Sequence, residues 1–171
     1  DVLNAVFVYA VVMFLLIYAG TLLQLKFKLW GVFLTEWIVI LLPVLAAIWY
    51  LKADFRASLQ LKKCKLSSLL GGLLIWGGTY VFVQYVTNIQ AKFFPGQEIF
   101  GKEMINLMDG VNFWVAVLAI GVSPAICEEI LFRGALLSAL KKKFNLWSSI
   151  LIVGLLFGLF HLAVFRILPT A

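Results

Sequence analysis

The sequence predicts an all-α protein, a polytopic transmembrane helical bundle with about five spans, and three observations carry that reading. The chain of 171 residues is 64% hydrophobic and only 13% charged, against about 45–50% and about 25% for soluble domains. Mean hydropathy is +1.06. Apolar runs long enough to cross a bilayer, about 20 residues each, recur between short basic connectors. This balance leaves too little polar surface for a soluble globule and excludes disordered and nucleic-acid-binding classes. The net charge of +6 is read as loop charge that sets membrane orientation, so no nucleic acid is expected as a partner. The whole of 1–171 is expected to form a single membrane-embedded domain.

The first span is expected over about Leu3–Leu25 and is followed by a short turn holding Lys26 and Lys28. The second covers about Val32–Leu51, with Pro43 expected to kink it because proline lacks a backbone N–H. A loop over Lys52–Lys65 carries Lys52, Arg56, Lys62, Lys63 and Lys65 against Asp54. The third span, about Leu66–Val86, contains Gly71, Gly72, Gly77 and Gly78, which are expected to let a partner helix approach closely. The segment Thr87–Asn112 is more polar; Pro95-Gly96 marks a turn. Glu98–Met108 fits a short interfacial helix with Phe100, Met104, Leu107 and Met108 on its apolar side. The fourth span, about Phe113–Leu140, ends at Lys141–Lys143, and the fifth covers about Leu146–Leu168. The helix pair 113–168 bears the motifs.

Two spans separate the basic clusters at 52–65 and 141–143, so both fall on one side, which the positive-inside bias makes cytoplasmic. The N-terminus of the chain is then cytoplasmic; Lys26 and Lys28 go against this assignment. Cys64 and Cys127 supply no disulfide framework, and Cys127 is read as a small apolar residue. The chain begins at Asp1 and stops at Ala171 directly after an apolar run, so a C-terminally truncated fragment is expected.

Ionisable side chains inside a span cost at least about 2.5–3.5 kcal/mol and mark function by default. Glu128, Glu129 and Arg133 are read as the charges deep inside a span, and His161 is the only histidine. Glu128 lies roughly 20 Å of helix from Lys141, and His161 roughly 24 Å from Asn145, so the two meet at similar depth on antiparallel neighbours. Gly154, Gly158 and His161 share a face at i, i+4 and i+7. Gly121, Ala125, Glu128 and Ala135 form a matching stripe. Glu129 sits four residues before Arg133, the spacing of an intrahelical ion pair. Glu128 is left to face a cavity as a general base. Ser123-Pro124 fits a cap and first turn of a restarted helix, or a kink that admits water beside Glu128.

Glu128-Glu129-Ile130-Leu131-Phe132-Arg133 reads E-E-x-x-x-R, and Phe157-Gly158-Leu159-Phe160-His161 reads F-x-x-x-H. Two such motifs on successive membrane helices resemble the CPBP family of intramembrane proteases, which includes CAAX prenyl endopeptidases and bacteriocin-processing or self-immunity proteins. The flanking residues look like those of bacterial members, some of which are fused to ABC-type export permeases. The resemblance implies cleavage of a peptide or membrane-protein substrate by a water activated between Glu128, the general base, and His161. Glu129 and Arg133 are then the supporting ion pair, and Phe157 shapes the pocket. The family's third motif, a histidine with Asn or Asp four residues later, has no counterpart before Ala171, which fits the expected truncation.

Direct activation of water by the pair requires no cofactor. A divalent metal such as zinc is the alternative, with Glu128 and His161 as ligands, but a catalytic zinc site wants three protein ligands. Two other functions fit buried carboxylates: a non-proteolytic immunity or binding protein, and an ion- or proton-coupled transport element. Membrane lipid, a peptide or membrane-protein substrate and a fused or associated ABC permease are the expected partners.

Overall fold

A computed structural model describes residues 1–54, 65–94 and 96–162, the side chains at 96–98 and 100 excepted. The described residues form helices and no strand. Helix α1 spans Val2–Phe27 and α2 Leu29–Tyr50. Helix α3 covers Leu66–Ala91, α4 Gly96–Met108, α5 Phe113–Leu140 and α6 Leu146–Phe160. Four of them, α1, α2, α3 and α5, are long and apolar enough to cross a membrane.

Span limits therefore fall close to where the apolar runs begin and end, with two differences. Helix α3 continues past the expected limit at Val86 to Ala91, with Thr87, Asn88 and Gln90 in helical geometry although the segment is more polar. Helix α6 ends at Phe160 after 15 residues, about 22 Å, short of the roughly 30 Å hydrocarbon core. His161 is its C-cap residue, and Leu162 turns to φ 53°, which stops the helix. The expected fifth span beyond Leu162, like Arg56, Lys62, Lys63, Cys64 and Pro95, lies outside the described residues.

One core joins α1, α2, α5 and α6. Tyr9 and Val12 of α1 meet Ile40, Val44 and Ile48 of α2, Cys127, Leu131, Phe132 and Leu136 of α5, and Val153 and Phe160 of α6. An aromatic cluster fastens it: Phe132 contacts Tyr9, Phe157 and Phe160 edge-on, with ring centroids 6.0, 4.8 and 5.2 Å away. The Tyr9 hydroxyl donates to the Leu156 carbonyl at 2.9 Å, so its one polar atom is satisfied inside the apolar core. The outer faces carry large apolar side chains such as Phe7, Phe14, Leu22 and Trp49, as a lipid-facing surface requires.

Only Lys28 separates α1 from α2. It adopts φ 51°, ψ −123°, a geometry suited to glycine. The backbones then approach so closely that a Cβ on Gly31 would collide with the Leu23 carbonyl oxygen. The Thr35 hydroxyl donates to the Gly31 carbonyl at 2.7 Å.

Pro43 does not break α2. A π-helical stretch, Thr35–Leu41, precedes it, and Val117–Val122 likewise precedes Pro124 in α5. A missing proline N–H leaves a carbonyl one turn back without its partner, and a widened turn accommodates this. Ser123 is helical and caps nothing; its hydroxyl accepts from Trp37 Nε1 at 3.0 Å, tying α5 to α2. The expected restart at Ser123-Pro124 is thus replaced by a continuous, locally widened helix.

Candidate active site

The buried stripe of α5 differs from the one its small residues suggest. The small-residue stripe of Gly121, Ala125, Glu128 and Ala135 is expected to be the packed face. Gly121 and Ala125 are exposed, and nothing lies within 4 Å of a Cβ at Gly121. The buried stripe is instead Ala116, Ala119, Ser123, Cys127 and Leu131. Glu128 stands at its edge, half-buried.

There it lines a cavity of about 470 Å³ together with His161. Two residues 33 positions apart in sequence, on separate helices, thus share one space, as their matched depths implied. Pro124 of α5, Met104 of α4, and Thr35 and Ile40 of α2 complete much of the wall. Met104 and Leu107 are half-buried on the inner side of α4, so the short helix predicted from its apolar side reaches the cavity. Phe100 and Glu98 lie outside the described side chains.

His161 is held at the end of α6. Its Nδ1 is 3.0 Å from the Phe157 carbonyl oxygen, which accepts only if Nδ1 carries the proton. The neutral ring then keeps its lone pair on Nε2, the nitrogen suited to accept a proton or bind a water. The Phe157 ring packs edge-on against the imidazole, centroids 5.0 Å apart. Phe157 does not wall the Glu128 cavity; it lines a separate groove with Phe132, Arg133 and Gly154. Its contribution is to orient His161.

Glu129 points away from the cavity and pairs with Arg133 at 2.5 Å, both side chains about half exposed. The two adjacent carboxylates thus have different surroundings, as the i, i+4 spacing predicted. Cys127 is fully buried.

One residue escapes sequence reasoning. Glu36, in the π-helical stretch of α2, is only 7% exposed and lines the same cavity. It lies within electrostatic range of Glu128. The signal is present in the sequence: a glutamate five positions into an apolar span.

Among the described residues, no three His, Cys, Asp or Glu side chains converge to hold a metal ion. These residues alone therefore do not fit a three-ligand catalytic zinc site.

Comparison with family models matches residues 110–171 to the Rce1-like family, type II CAAX prenyl endopeptidases. Comparisons with curated proteins and with solved structures gave no match. The match covers α5, the basic turn and α6, the part that carries Glu128, Glu129, Arg133 and His161. The motif-bearing segment of this chain, whose apolar helices mark an integral membrane protein, is thus similar to the Rce1-like type II CAAX prenyl endopeptidases over residues 110–171.

Proposed function

We propose that the protein is an intramembrane endopeptidase in which Glu128 and His161 activate a water against a peptide bond at the membrane. The observation that carries this reading is the shared cavity of Glu128 and His161, inside a segment matching an endopeptidase family. Glu128 takes a proton from the water as its oxygen bonds to the carbonyl carbon. The proton then passes to the departing amine nitrogen as the C–N bond breaks. His161, fixed through Nδ1, orients the water by its other nitrogen. The Glu129–Arg133 pair holds the α5 segment that presents Glu128. Chelator sensitivity of cleavage tests whether a divalent metal also takes part.

The protein resides in a bacterial cell membrane, with its N-terminal end cytoplasmic and both lysine-rich connectors on that side. Peptides or membrane proteins are its substrates, and a fused or associated ABC permease is a partner consistent with the family resemblance. The test is cleavage of membrane-bound peptides by full-length protein in liposomes. Glu128→Ala and His161→Ala are each expected to lower kcat by about 10³-fold or more, the scale of a lost general base. Equal cleavage by wild type and both variants overturns the proposal and favours a non-proteolytic binding or transport role.

A further inference from the structure

The cavity receives a second carboxyl group, Glu36, from a helix outside the matched segment. Three observations bear on it. Glu36 is only 7% exposed, and its Oε2 has no hydrogen-bond partner among the described residues. Buried polar oxygens are nearly always paired, and an orphan is expensive enough to demand a reason. Next, the residues around the cavity include Glu36, Glu128 and His161 but no Lys or Arg among those described. Arg133 is turned to Glu129 and to the separate groove. Finally, the carboxyl's terminal torsion is soft, so either oxygen of Glu36 can be presented to a molecule in the cavity.

We propose that Glu36 is a substrate-binding residue that accepts hydrogen bonds from a cationic N–H donor on the peptide. That donor is a Lys or Arg side chain near the scissile bond, or the free amino terminus of the peptide. The inference rests on the endopeptidase reading above and adds a specificity to it. The widened turn Thr35–Leu41 places Glu36 beside Thr35 on the cavity wall. A charge-assisted contact to a carboxylate this deeply buried discriminates strongly against an uncharged isostere.

The experiment uses full-length protein in liposomes and fluorogenic peptides made in pairs. One set exchanges Lys for norleucine at each position flanking the cleaved bond; the other exchanges a free amino terminus for an acetylated one. For wild type, one exchange is expected to lower kcat/KM by about tenfold or more. Which set responds identifies the side chain or the terminus as the donor. Glu36→Gln is expected to shrink that ratio below about threefold, and Glu36→Asp to keep part of it. The proposal is overturned if wild type shows no preference in either set, or if Glu36→Gln lowers cleavage of both members of a pair equally. Binding of the same peptides, followed by fluorescence anisotropy, separates the two claims. If no peptide is cleaved but the cationic member binds about tenfold tighter and Glu36→Gln removes the difference, the endopeptidase reading fails and Glu36 keeps its role. If binding shows no such difference, the proposal for Glu36 fails as well.

Discussion

Helices α1, α2, α5 and α6 and helix α3 are built from similarly apolar sequence and end in opposite conditions. The four share a core and enclose the Glu128 cavity. Helix α3, 26 residues long, has no buried residue, and its four glycines meet nothing within 4 Å. The expectation that Gly71, Gly72, Gly77 and Gly78 receive a packed neighbour is not met among the described residues. In a bilayer this contrast is physically allowed, because lipid tails cover an apolar helix as well as leucines do. Hydropathy therefore identifies spans without telling which of them pack. What distinguishes the packed set is specific: the Phe132 cluster, the Tyr9–Leu156 and Trp37–Ser123 hydrogen bonds, and the Gly31 contact.

Substitutions can break that comparison in order of size. Phe132→Ala removes a fully buried ring in contact with three other aromatics and is expected to destabilise by about 3–5 kcal/mol. Trp76→Ala in α3, at a position 67% exposed, is expected to change stability by less than about 0.5 kcal/mol. Unfolding of purified protein in mixed micelles measures both, and equal losses would contradict the contrast. Gly31→Ala comes second, at about 3 kcal/mol, because its Cβ collides with rigid backbone, whereas Gly72→Ala meets open space and stays within about 1 kcal/mol. Next is Tyr9→Phe, which removes the hydroxyl's hydrogen bond to the Leu156 carbonyl while leaving that carbonyl its helical partner, and is expected to cost about 0.5–1.5 kcal/mol. The smallest effect has the opposite sign. Lys28→Gly relieves a backbone conformation at φ 51° and should stabilise the α1–α2 hairpin by about 0.5–1 kcal/mol. Glu129→Gln and Arg133→Ala are expected to lower folded yield more than activity.

Much of this is legible in the residues. The limits of α2 and α5, the Glu129–Arg133 pair, and the cavity that Glu128 shares with His161 all arise from local spacing and the depth fixed by a short turn. The features that escape are tertiary or depend on helix irregularity. Small residues at Gly121 and Ala125 suggest a packed face, but the buried stripe runs through Ser123 and Cys127, and spacing alone does not tell which stripe of a helix meets its neighbours. Ser123 looks like a cap only if its own helix restarts there, yet its hydroxyl serves Trp37 of α2. Glu36 takes its importance from the cavity it shares, which no single-helix count displays. Phe157 is expected in the pocket wall, but its carbonyl and ring act on His161 from one turn earlier.

The central claim is that Glu128 and His161 act together on one water. A double-mutant cycle in cleavage of a membrane-bound peptide tests it most directly. Each of Glu128→Gln and His161→Ala is expected to lower kcat/KM by about 10³-fold or more, and the double variant to be little worse than either single one. Losses that multiply, or single variants that cleave as well as wild type, would contradict it.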